Sequence, residues 1–109
     1  MKVAHQGHTA VIRGEKDNLE GFAAKLTREI KNFESHNVIV DITVYKELSA
    51  QEINVFLPIS KAHKKAKKSF VIVADVDYNS ASDQLVVVPS LLEAHDMIEM
   101  EEIERDLGF

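Results

Sequence analysis

Two short runs, Val38-Ile39-Val40-Asp41-Ile42 and Phe70-Val71-Ile72-Val73, constrain the fold of this chain more than anything else in it. Neither alternates apolar with polar residues, so a strand built from either must be covered on both faces, the condition of a central strand in a parallel sheet. Between them a helical stretch opens at Ser49, and Glu52 three residues later gives the reciprocal spacing of a capping box. Strand, polar loop, capped helix and strand make one parallel crossover unit. Every other element has to be placed around that unit.

Residues 2–5 and 9–13 predict two strands joined at Gln6-Gly7, where glycine supplies the positive φ of a tight hairpin. Asp17 with Glu20 predicts a helix start, and Leu19, Phe22, Ala23, Leu26, Ile30 and Phe33 follow at spacings of three and four. The helix opened by Ser49 extends to about Lys67, with a kink expected at Pro58, which has no N–H to give. At about 100° per residue, Val55, Ile59, Ala62 and Ala66 share a face while Ile53 and Leu57 lie off it. Either the kink reorients those two or they form a second apolar surface.

Segment 75–83 is polar with little room for a helix, and 84–88 predicts another buried strand. Pro89 and Ser90, with Glu93 as partner, start the final helix, whose first stripe is Leu91, Ala94 and Ile98. Met97, Met100, Ile103 and Leu107 fall on roughly the opposite side. The helix therefore either breaks after Ile98 or extends through 99–109 with a second apolar surface. The expected architecture is α/β: a mixed sheet of about five strands, antiparallel hairpin first and parallel crossovers after, with three main helices. At 109 residues it forms a single domain over 1–109.

Several function classes fall away. The chain has no cysteine, which removes disulfides, thiolate zinc sites and cysteine nucleophiles together. A formal net charge of −5 argues against a general nucleic-acid binder. No apolar run reaches the length of a membrane span and no signal-like segment opens the chain, so a cytoplasmic location is expected. Gly-x-Ser-x-Gly is absent, and the glycines at 7, 14, 21 and 108 are too scattered for a phosphate loop. His5 and His8 flank a turn without a carboxylate at ligand spacing, and His95 and Asp96 point apart on a helix. His36 lies in a loop and His63 on a helix flank, without partners. No cofactor, metal or enzymatic activity is expected.

What remains are surfaces. The edge at 43–57 gathers Tyr45, Lys46, Glu47, Ser49, Gln51, Ile53 and Leu57, of which Ser49 is first a helix cap and second a regulatory hydroxyl. Lys61, Lys64, Lys65, Lys67 and Lys68 crowd a helix end, where they suit the helix dipole or could contact RNA or an acidic partner. Met100, Ile103, Leu107 and Phe109 pack on their own domain, on a second copy to form a homodimer, or on another protein. Packing within the domain is the first expectation.

The succession strand, strand, helix, strand, helix, strand, strand, helix resembles the STAS domain of anti-sigma factor antagonists. Asp41 matches the acid that ends a strand in that family, and Leu85-Val86-Val87-Val88-Pro89-Ser90-Leu91-Leu92-Glu93-Ala94 resembles its last strand and helix. Ser49-Ala50-Gln51-Glu52 stands where the family reads Asp-Ser-Ser-Gly, so Ala50 or Gln51 replaces the phosphorylated serine. The resemblance implies a non-enzymatic protein-binding, regulatory domain that keeps the scaffold of a switch without its usual phosphorylation. The chain also resembles small bacterial proteins that carry a ribonuclease Z label and end in a similar Ile-Glu-Met-Glu-Glu-Ile-Glu-Arg-Asp-Leu-Gly-Phe segment. It lacks the His-x-His-x-Asp-His metal motif of that enzyme, so the alternative this implies is an RNA-processing accessory module working through Lys61 to Lys68.

Overall fold

The computed structural model describes residues 1–15, 18–76 and 84–108. In order they form β1 (Lys2–Gln6), β2 (Thr9–Arg13), α1 (Leu19–Glu29), β3 (Asn37–Asp41), α2 (Ala50–Ile53), α3 (Leu57–Lys65), β4 (Phe70–Val73), β5 (Val86–Val88) and α4 (Leu91–Asp106). The sheet runs β1-β2-β3-β4-β5, with β1 antiparallel to β2 and all other pairs parallel. This is the α/β mixed sheet expected from the sequence, with α2 and α3 joined into one interrupted helical segment. The hairpin turn falls one residue later than expected, on Gly7 and His8, because Gln6 still pairs with Thr9. Gly7 supplies the positive φ, at 62°.

The uninterrupted apolar runs divide between two layers. Ala10, Ile12, Val38, Val40, Phe70 and Ile72 face α1, α2 and α3, while Val11, Ile39, Val71, Val73 and Val88 face α4. Val38, Ile39, Val40, Val71 and Ile72 are each 0% exposed. Burying each such side chain contributes roughly 1.5–3 kcal/mol before entropy is counted. The covering on both faces is what the two runs demanded.

Helix α1 is capped by Asn18, whose Oδ1 accepts from the Gly21 N–H at 2.7 Å. Asp17, the expected cap, lies outside the described residues, and the cap role sits with its neighbour. A single 3₁₀ turn, Ile30–Phe33, then seats Phe33 in the core. At α2 the capping box forms as expected: Ser49 Oγ accepts from the Glu52 N–H at 3.2 Å and Glu52 Oε1 accepts from the Ser49 N–H at 3.0 Å.

The expected kink at Pro58 takes another form. The helix tightens into a 3₁₀ turn at Asn54–Phe56 and restarts, with Pro58 in the first turn of α3, where a missing N–H costs little. Three residues per turn advance each side chain by about 120°, which carries Ile53 and Phe56 onto one face. Ile53, Phe56, Ile59 and His63 are buried, whereas Val55 is 46% exposed and Ala62 and Ala66 face outward. Of the two alternatives for Ile53 and Leu57, reorientation is the one found.

Helix α4 does not break. Ser90 caps it, accepting from the Glu93 N–H at 3.2 Å, and Ala94 and Ile98 bury against the sheet. Met100, Ile103 and Leu107 stay 57%, 53% and 65% exposed, which corrects the expectation that they pack on their own domain. Phe109 lies outside the described residues, as does most of the 75–83 segment. Strand β5 occupies only the last three residues of the expected 84–88. No helix among the described residues is long and apolar enough to cross a membrane.

The ends where the parallel strands begin are held by polar ties. Asn37 Oδ1 accepts from the Ser69 N–H at 2.9 Å and from Arg105 Nη2 at 3.4 Å, while Arg105 Nη1 donates to Ser69 Oγ at 3.2 Å. His63, expected to lack a partner, donates from Nε2 to the His36 carbonyl at 2.6 Å and meets Phe70 edge-on. Burial pushes its pKa below the ordinary value near 6.5; Lys68 adds to the shift, and the bond to His36 opposes it. Above that value His63 is neutral folded or unfolded and contributes no pH dependence. As pH falls below it the unfolded chain takes up the proton first, so stability declines until the folded pKa is passed. Urea midpoints measured from pH 7.5 to 5 should therefore fall less steeply for His63→Gln than for the natural chain. Parallel curves would contradict a buried neutral imidazole.

Candidate functional site

At the opposite edge lie the carboxyl ends of β2, β3, β4 and β5, the place where open α/β sheets present their sites. The starts of α1, α2 and α4 converge there, capped by Asn18, Ser49 and Ser90. The centre of the edge is Asp41. Its Oδ1 accepts from the Thr43 N–H at 3.0 Å and from Thr43 Oγ1 at 2.7 Å, and its Oδ2 stands 3.5 Å from Arg13 Nε. Both carboxylate oxygens are thus engaged, in an Asx-type turn and an ion pair. The arrangement fixes where the loop leaves the strand, and the carboxylate acts as a clamp.

From that clamp the loop folds back over the sheet. The Tyr45 N–H donates to the Ile42 carbonyl at 3.1 Å, closing a turn. The Tyr45 ring then packs against Phe22, with centroids 6.0 Å apart, and lies directly over Gly14. A Cβ at Gly14 would stand only 2.5 Å from Tyr45 Cε2, so glycine is what allows the ring to lie down. Glu47 adopts a left-handed φ of 58°, which turns the chain outward before Ser49 starts α2. A non-glycine residue in that region carries a local cost and occurs in tight turns.

The structure sorts the expected site residues into three groups. Lys46, Glu47, Ser49 and Gln51 are exposed and lie along the edge. Tyr45 and Leu57 are half-buried and pack against the main core, so each supports the edge from beneath. Ile53 is 0% exposed and belongs to the core, which corrects its place among partner-facing residues: the 3₁₀ turn rotates it inward. Ser49 has its hydroxyl occupied by the capping box, as the cap reading anticipated.

Residues not singled out complete the surface. Val44 and Val55 are 48% and 46% exposed, one before and one after the exposed polar residues. Leu19, Glu20, Gln51, Glu52 and Val55 line a shallow groove of about 260 Å³ between α1 and α2. Val44 carried a signal in the sequence, an apolar residue inside a polar loop just past a strand-ending acid; Val55 carried the opposite signal, an inward one. The lysines lie at the far end of the molecule: Lys64, Lys67 and Lys68 line a groove with Glu101, Glu104 and Arg105. Among the described residues no group of three or more His, Asp or Glu side chains stands where it could hold a metal ion. No family model matches the chain, and no curated protein matches it.

Proposed function

We propose that this chain is a non-enzymatic, STAS-like protein-binding domain whose partner rests on the 43–57 edge. The observation that carries the reading is the pair Val44 and Val55, both nearly half exposed, bracketing Lys46, Glu47, Ser49 and Gln51 on a rim held by Asp41, Tyr45 and the capping box. Apolar residues within a polar rim on a pre-ordered backbone are what a protein partner uses, because little order has to be gained on binding. The Asp41–Thr43 turn and the occupied Ser49 hydroxyl favour a standing surface over one created by phosphorylation.

The test is capture from native cell extract on the immobilised chain, compared with Val44→Asp/Val55→Asp and with Lys46→Glu/Glu47→Lys. All four substituted side chains are exposed, so folding is preserved and circular dichroism verifies it. Loss of a centrally buried contact weakens binding by about tenfold or more. The same proteins should be retained at least about tenfold less by the valine variant. An unchanged set of captured proteins would remove this edge from consideration. Leu57 is left intact because it packs on the core.

A second reading, an RNA-processing accessory module, rests on Lys61, Lys64, Lys65 and Lys67, which are exposed along the end of α3 and just beyond it. It requires RNA binding that weakens steeply with salt. Glu101 and Glu104 line the same groove as Lys64 and Lys67, placing carboxylates where phosphates would sit. We therefore set it second.

A further inference from the structure

The outward face of α4 carries an apolar seam that the 43–57 edge does not explain. Met100, Ile103 and Leu107 recur at three and four and are each more than half exposed, on the side of the helix opposite the buried Ala94 and Ile98. In heptad terms they occupy positions a, d and a, the spacing that seats a second helix. The e and g positions beside such a seam choose the partner; those flanking Met100, Ile103 and Leu107 are Glu99, Glu104 and Asp106, all exposed, while one heptad earlier g is Leu92 and e is Met97, which packs on the sheet. One heptad earlier, a and d are Glu93 and Asp96, also exposed. The arginine of this helix, Arg105, is turned inward onto Ser69 and Asn37 and gives the outer face no positive charge.

We infer that this face docks a basic amphipathic helix of another protein, with apolar residues at its own a and d positions and Lys or Arg at e and g. The charges argue against a second copy of this helix. Parallel pairing sets Glu99 (g) against Glu104 (e) of the second copy, and antiparallel pairing about the seam sets Glu99 against Asp106 (g against g); either way carboxylates meet carboxylates, which works against self-association. A partner with basic e and g residues converts every one of those contacts into attraction and meets Asp96 with a cation. Glu104 also borders the groove of Lys64, Lys67 and Lys68, yet among the described residues no ion pair joins them. Its carboxylate is not committed to those lysines.

The probe is a synthetic helical peptide of three heptads with Leu at a and d, Lys at e and g, and one Trp replacing a central Leu. The chain contains no tryptophan, so the peptide emission alone reports burial. Titration with the full chain should shift that emission to the blue, and a peptide with Glu at e and g should give no shift. Met100→Ser/Ile103→Ser should weaken the lysine peptide by about tenfold or more, as loss of a central apolar contact does. Glu99→Gln/Glu104→Gln/Asp106→Asn should weaken it and flatten its salt dependence. Val55→Ser, on the other edge, should leave it unchanged. Equal binding of the lysine peptide by Met100→Ser/Ile103→Ser would overturn the inference. So would sedimentation showing a dimer of the natural chain that those same two substitutions dissolve, since the occupant would then be a second copy.

Discussion

Phe56→Ala should cost about 3–5 kcal/mol of folding free energy, the range for deleting a fully buried phenylalanine, while Val55→Ala one residue earlier should cost less than about 0.5 kcal/mol. Phe56 is 0% exposed, meets the Phe22 ring at 6.2 Å in an edge-on arrangement, and stands in the main core with Ile53 and Ile59. Val55 is 46% exposed. The contrast is a direct test of the 3₁₀ turn, because a uniform helix from Ser49 to Lys67 would put Val55 inside with Ile59, Ala62 and Ala66. Urea denaturation of the two variants distinguishes the cases. Similar losses at both positions would mean that the interruption at Asn54–Phe56 is wrong.

What could be read in the sequence was what depends on neighbours along the chain. The Ser49–Glu52 box is a reciprocal bond across three residues, so its spacing alone predicts its geometry. The runs at Val38 and Phe70 announce double burial through the absence of alternation, and the sheet follows from that. The interrupted helix is harder to read, because angular counting assumes one rise and one twist throughout, and Pro58 points to a kink at its own position while the tightening occurs just before it, at Asn54–Phe56. The ring of Tyr45 over Gly14 and the bond from His63 to the His36 carbonyl join residues far apart in sequence. No local pattern encodes such a contact. The loop of the candidate edge is legible as a polar stretch between a strand and a capped helix, while the inward or outward direction of individual side chains, Ile53 and Val55 above all, comes only from the packed structure.

Gly14→Ala tests whether that edge is held in shape by the Tyr45 ring. Gly14 has no positive φ, so an alanine there meets no backbone strain; the three atoms nearest the new Cβ all belong to Tyr45, with Cε2, Oη and Cζ at 2.5, 2.6 and 2.7 Å. The ring is also packed against Phe22, with centroids 6.0 Å apart, so moving it disturbs that contact. Overpacking of this kind costs about 1–3 kcal/mol. In a Tyr45→Ala background the obstacle is gone, and the same Gly14→Ala change should become neutral or stabilise by up to about 1 kcal/mol, through the smaller conformational freedom of the unfolded chain. The sign should therefore reverse between the two backgrounds, which a four-member cycle of urea midpoints measures. Gly14→Ala should also lower capture of the partner, since lifting the ring carries Lys46 and Glu47 with the loop while Ser49 and Gln51 stay with α2. An equal destabilisation in both backgrounds would show that the ring is not what glycine accommodates, and the edge would then owe its shape to the Asp41–Thr43 clamp and the Ser49–Glu52 capping box.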